Sequence, residues 1–280
     1  MKQMKKMRKQ VQNKINLKAT LLSGQAFRII NEIDNSFTII LKDRVVNIKE
    51  DNGYLIINSN KEENLDNVIN EYLDLDRDYD KINKYLLDNN PELKDIIEYS
   101  KGYKILDQPD FEMLISYIIS QNNSVKNISA SIEKISKKYG KKVMFNNKEY
   151  YLFPTYDELK KATIDELNEC KVGFRSKYII NAIETLKKVP NYLNSLNNMS
   201  SEEAMNKLMQ IKGIGMKVAS CILLFGYGKL DTFPIDTWVK KLFNEEDANK
   251  IKSLAFKKYG KYSGLVIQYM FHYSRNKNIL

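Results

Sequence analysis

Hydrophobic and polar positions change rhythm once along this chain. Between Ile15 and about Ser59 the apolar residues come in short runs: INLKATLLSG, AFRIINEI, SFTIILKD, RVVNIKE and YLIINS. Asp34-Asn35, Lys42-Asp43 and Asp51-Asn52-Gly53 separate them with turn chemistry, which predicts an antiparallel sheet. After a polar stretch, Asn60 to Asn67, apolar residues recur at helical spacing for nearly all of the remaining length. EYLDLDRDYDKINKYL, PELKDIIEYSKGY and FEMLISYIISQNNSVKNISASIEKISKKYG carry that period, with Pro91, Pro109, Pro154 and Pro190 at helix starts or in loops. The expected fold class is α+β, an N-terminal antiparallel β-sheet domain followed by mainly α-helical domains. The expected division is a basic, mobile arm over residues 1–14, a sheet domain with trailing helices over 15–100, and a helical region over 101–280.

One stretch in the helical part has its own pattern, KLMQIKGIGMKVASCILLFGYGKLDTFPIDTWVKKL, from Lys207 to Leu242. A helix end meets a tight turn, Lys212 to Gly215. An apolar helix then runs from Met216 to about Phe225, and a loop through Pro234 reaches Asp236 ahead of a fresh helix, Thr237 to Phe243. Gly213 and Gly215 permit positive φ and let another molecule approach the backbone. Their amides precede a helix N-terminus, where free N–H groups and the macrodipole favour an anion such as a DNA phosphate. An ordinary αα-hairpin would use the same glycines. Lys217 stands at the start of an otherwise apolar helix, either as a snorkelling surface residue or as an amine at a pocket edge. Asp236 reads most simply as an N-cap.

Charge sharpens the choice. The 280 residues include 45 Lys and Arg against 35 Asp and Glu, a net charge of +10 that suits a polyanionic partner. Two cysteines, Cys170 and Cys221, make neither a disulfide framework nor an iron–sulfur or zinc ligand set, and His272 is the sole histidine. No metal site and no cofactor are expected. The basic start MKQMKKMRKQVQNK lacks the apolar core of a signal peptide, and no apolar run approaches the ~20 residues that cross a bilayer. A cytoplasmic protein is expected, in a bacterial cell alongside the nucleoid, with no membrane partner.

GIGMKVA followed by PIDT resembles the helix-hairpin-helix, Gly-Pro-Asp motif of base-excision DNA glycosylases. The resemblance implies Lys217 as nucleophile and Asp236 as essential acid. Ser23 to Arg28, SGQAFR, resembles the SGQ-x-FR segment of the 8-oxoguanine DNA glycosylases, and likeness to that branch extends from about Asn16 to Arg275. It implies that the Gly24 carbonyl accepts the N7 hydrogen of the oxidised guanine. Phe271, in GLVIQYMFHYSR, would stack on the extruded base, with Cys221 on its other face. Asn122, in SQNNS, would fill the gap left by the flipped nucleotide, although asparagines at a helix break are often caps. Phe174-Arg175 would wedge the duplex and read the orphaned cytosine, while the Gly213 and Gly215 amides hold a phosphate. The sequence departs from the family pattern at three places. Ile267 replaces a glutamine that reads the base, Asn127 an arginine that reads cytosine, and Trp238 a phosphate-contacting histidine. The implied activity is excision of 8-oxoguanine from double-stranded DNA by a monomer, with base flipping, lysine attack at C1′ and β-elimination from an imine. An alkyl-base glycosylase of the same fold would lack the lysine. An endonuclease III-like enzyme would bring four cysteines, and a non-catalytic helix-hairpin-helix binder would need neither Lys217 nor Asp236.

Overall fold

The computed structural model describes residues 7–11 and 15–277. The sheet has five antiparallel strands in the order β1-β5-β4-β3-β2: Met7–Gln10 (β1), Ile29–Asn31 (β2), Phe37–Ile40 (β3), Val45–Asp51 (β4) and Tyr54–Ser59 (β5). β4 and β5 turn at Asn52-Gly53, with φ of +49° and +79°, the left-handed pair that a two-residue hairpin loop requires. Register sets Phe37 opposite Ile48 and Ile48 opposite Ile57, so one apolar row crosses three strands on a single face. All three are buried, and burying side chains of this size contributes about 1.5–3 kcal/mol each. Leu65, Ile69 and Leu73 cover that row from the Leu65–Tyr72 helix and its C-cap.

Three sequence expectations need correction. Met7–Gln10 is not part of a mobile arm: it pairs with β5, Met7 opposite Ile57, and Lys9 Nζ lies 2.7 Å from Asp66. Residues 1–6 and 12–14 of that expected arm lie outside the described residues. The INLKATLLSG run is not a strand. Leu17–Leu21 is a short helix because the Asn16 side chain accepts the Ala19 N–H at 2.9 Å, and Leu17 and Leu21, one turn apart, are both buried. The helical half also contains a hairpin, Lys142–Phe145 (β6) with Lys148–Tyr151 (β7), turned by Asn146-Asn147 at φ +48° and +60°. Phe145 and Tyr150 of this hairpin pack with Ile40 and Val45 of the large sheet.

The packing passes from the sheet's core to a helical core between Leu73 and Tyr79, so the helices Tyr79–Asn89 and Lys94–Tyr99 bury their apolar faces with the helical part. At the centre of that part the Asp110–Ile119 helix, buried from Glu112 onward, lies against Met216–Tyr227. Gly226 lets them meet: a Cβ there would stand 3.3 Å from the Met113 side chain. The closing helix, Ser263–Asn276, docks by backbone contact, Gly264 N–H donating to Leu230 O at 2.7 Å. Any side chain at 264 would collide with the Leu230 and Thr232 carbonyls. Among the described residues no helix is long and apolar enough to cross a membrane.

Candidate active site

The hairpin rests on an aromatic ring. Gly213 has φ +91°, and a Cβ there would run into the ring of Tyr178 on the Ser176–Lys188 helix. Lys212 N–H donates to Asn181 Oδ1 at 2.8 Å, which pins the turn to the same helix. Gly215 differs from Gly213. Its φ of −97° is ordinary and a Cβ would touch nothing, but as N-cap of Met216–Tyr227 it supplies no capping side chain. The first N–H groups of that helix, which have no intrahelical acceptor, therefore meet no protein cap. That is the form of an anion site.

Lys217 is exposed on the first turn of this helix, immediately before a run, Val218 to Gly226, that is buried throughout. Asp236 is the N-cap that its position suggested, accepting the Val239 N–H at 3.0 Å. Both charges act on Cys221. Burial pushes that thiol up to about 12, Lys217 pulls it down and Asp236 pushes it further up. Both side chains therefore lie within electrostatic reach of a buried, inert thiol one turn along from the lysine.

Gly24 sits exposed at φ +92° with open space where a Cβ would stand. Next to it a cavity of about 430 Å³ is lined by Leu22, Ser23, Tyr103, Phe271, His272 and Arg275 among others. Trp238 packs edge-on against Phe271, ring centres 5.3 Å apart, so the residue expected on a phosphate is in contact with the expected stacking ring. Ile267 lies one turn before Phe271, is 1% exposed in the helical core, and does not line the cavity.

The residues expected at the orphaned base form a separate cluster. Asn122 is exposed in the left-handed region at φ +46°. Arg175 is only 7% exposed and holds the same turn from below. It donates through Nε to Gln121 O at 2.7 Å, through Nη2 to Gln121 O and to Asn122 O at 2.9 Å, and through Nη1 to Val172 O at 3.1 Å. Phe174 is 54% exposed, with the Arg175 guanidinium 4.5 Å from its ring centre and its edge on Tyr178. Wedge and hairpin thus share one platform, Tyr178. Asn127 is exposed on the first turn of the Val125–Tyr139 helix, its N–H bonded to the cap Ser124.

Comparison with known proteins identifies the family. Residues 7–114 match the family model described as 8-oxoguanine DNA glycosylase, N-terminal domain, and residues 115–255 match that of the HhH-GPD superfamily base excision DNA repair proteins. The 8-oxoguanine glycosylase/lyase of Clostridium acetobutylicum, solved in complex with dsDNA containing cytosine opposite to 8-oxoG, is 35% identical, with a TM-score of 0.88 over 95% of this chain and 93% of its own. The chain belongs to the 8-oxoguanine DNA glycosylase family. The apo-form of the same clostridial protein gives a TM-score of 0.90 over 97% of this chain and 98% of its own. A "Probable N-glycosylase/DNA lyase" of Methanothermobacter thermautotrophicus is 29% identical over 238 residues, 75% of each chain. The two matched models meet inside the Asp110–Ile119 helix, which touches both the segment after Gly24, through Tyr117, and the Met216–Tyr227 helix. Sequence reasoning missed Tyr178 and Tyr117, and gave Gln25 no role although the SGQAFR segment contains it. Each acts through contacts far apart in the chain, and a lone aromatic at helical spacing carries no local signal.

Proposed function

We infer that the protein is a bifunctional DNA glycosylase and abasic-site lyase that removes 8-oxoguanine from double-stranded DNA. The observation that carries the reading is Lys217 exposed on the uncapped first turn of the Met216–Tyr227 helix, one turn before the buried Cys221, in a chain of the 8-oxoguanine DNA glycosylase family. A base inside a duplex cannot be reached at C1′, so it is first extruded, at a cost of about a few kcal/mol offset by wedge and pocket contacts. In this reading Phe174 and Asn122 enter the duplex, Phe271 and Cys221 sandwich the base, and the Gly24 carbonyl accepts its N7 hydrogen. The Lys217 amine then bonds to C1′ while the C1′–N9 bond breaks, and the electron pair leaves with the base, which takes up a proton. The C1′–O4′ bond then breaks as the imine C=N bond forms, and a proton passes from the amine nitrogen to O4′. Loss of a C2′ proton next expels the 3′ phosphate. Asp236 stabilises positive charge on the sugar or orients the amine. The Gly213 and Gly215 amides hold a backbone phosphate, and the net charge of +10 draws the duplex in. The protein acts as a monomer in the cytoplasm of a bacterial cell, where the nucleoid lies. A second peak in size exclusion would refute the monomer.

The deciding experiment incubates an 8-oxoguanine duplex with the protein and borohydride. Wild-type protein should give a covalent adduct, and Lys217→Gln should bind the duplex without forming one. No wild-type adduct would favour an alkyl-base enzyme or a silent binder. An adduct with the variant would place the nucleophile elsewhere.

A further inference from the structure

The segment that carries Gly24 is held in place by residues that contact neither base nor sugar in the reading above. In a trans peptide the carbonyl of one residue points opposite to the N–H of the next, so whatever fixes the Gln25 N–H aims the Gly24 carbonyl. That N–H turns to Ser23 Oγ at 3.4 Å, and Ser23 Oγ donates to Thr20 O at 2.8 Å. The Gln25 side chain is 1% exposed. Its Nε2 donates to Lys104 O and its Oε1 accepts the Leu106 N–H, both at 2.9 Å. Its carbonyl accepts from Gln108 Nε2 at 3.0 Å and from the Tyr117 hydroxyl at 3.2 Å.

Tyr117 carries this restraint across the molecule. Its ring stacks on Phe225 with centres 5.9 Å apart, on the helix of Lys217 and Cys221, and meets Phe27 edge-on at 5.5 Å. Burial pushes its hydroxyl well above the usual range, with the Cys221 thiol adding to the effect, so it stays a neutral donor. Tyr117 thus joins the Gln25 carbonyl, one residue on from Gly24, to the helix of Lys217 through its hydroxyl and its ring. We propose that Gln25 and Tyr117 are positioning residues for lesion recognition, setting where the Gly24 carbonyl stands relative to Cys221 and Lys217. This deepens the proposed function and rests on its assignment of Gly24.

Two activities separate positioning from simple structural support. Cleavage at a preformed abasic site uses Lys217 but has no base to read. Excision of 8-oxoguanine needs both. Tyr117→Phe, which keeps both ring contacts, should slow single-turnover excision roughly threefold to tenfold, and Gln25→Ala about a hundredfold, with abasic-site cleavage changed less than about twofold. The proposal is overturned if both activities fall together in step with melting temperature, or if excision is unchanged in Tyr117→Phe. Should Gln25→Ala fail to fold, the Tyr117→Phe ratio alone decides. A wild-type protein that cleaves the abasic duplex and leaves 8-oxoguanine in place would overturn the substrate reading, a result distinct from either variant outcome.

Discussion

Asp236 does two jobs with one carboxylate. Its Oδ1 caps the Thr237–Phe243 helix through the Val239 N–H, and its charge reaches Cys221 together with that of Lys217. The jobs can be separated because an asparagine caps a helix about as well as an aspartate. Asp236→Asn keeps an oxygen for the Val239 N–H, so the melting transition should move by less than ~1 kcal/mol. The lost charge is another matter: excision should fall at least about a hundredfold, as when other preorganised electrostatic groups are removed. Activity that declined only in proportion to unfolding would leave Asp236 a cap and nothing more. This doubling also explains why an N-cap reading and a catalytic reading of the same residue both had grounds in the sequence. The helix, loop and return around Lys217 and Asp236 were legible because they are all contained in one stretch, and the Asp236 cap was legible with them.

At the scale of elements, legibility tracks how local the cause is. The strands from Ile29 to Ser59 and the hairpin helices announce themselves through period and turn residues. β1 does not, since Met-Arg-Lys-Gln becomes a strand only because β5 offers it an edge. Leu17–Leu21 is one turn held by one asparagine, too short for a period to show. The Asn146-Asn147 hairpin hid among helices, and its tertiary role is visible only in packing. β7 supplies Tyr151 O to Arg28 Nη2, and the Arg28 guanidinium lies 3.9 Å from Glu112 on the central helix and from Glu133 on the next. Arg28 Nε and Nη1 have no hydrogen-bond partner among the described residues. Burial pushes Glu112 up to about 7, against the pull of Arg28, and burial raises the neighbouring Tyr72 as well, with Glu112 adding to the effect. A carboxyl raised from its ordinary 4.5 contributes stability that is complete below pH 4.5 and lost as pH climbs through about 7. Wild-type stability relative to Glu112→Gln should therefore decline between those values by up to about 3 kcal/mol. Denaturant unfolding of both proteins across that range measures it, and parallel curves would show that Glu112 ionises freely beside Arg28.

For the whole molecule meeting a duplex, the question is what its rim can read. The resemblance implies that relatives strict for cytosine use an asparagine and two arginines. Here Asn122 stands exposed, while the other arginine position is Asn127 on the first turn of the Val125–Tyr139 helix. Arg175 is nearly buried, its donors committed to the carbonyls of Gln121, Asn122 and Val172. Reading a base with it would require giving up some of those bonds and unbracing the turn that presents Asn122. The rim therefore offers one exposed amide where relatives offer a second guanidinium. Losing a good guanidinium contact should weaken discrimination by roughly 1–3 kcal/mol, or about one to two factors of ten. We expect 8-oxoguanine to be excised opposite adenine, guanine or thymine at measurable rates, not only opposite cytosine. Asn127→Arg should tighten the preference, since an exposed helix position accepts the longer side chain without repacking. Single-turnover rates on four duplexes that differ only at the opposing base decide between the two. A wild-type preference for cytosine beyond roughly a thousandfold, well past what one contact supplies, would mean that Arg175 leaves its carbonyls on binding and reads the base unaided.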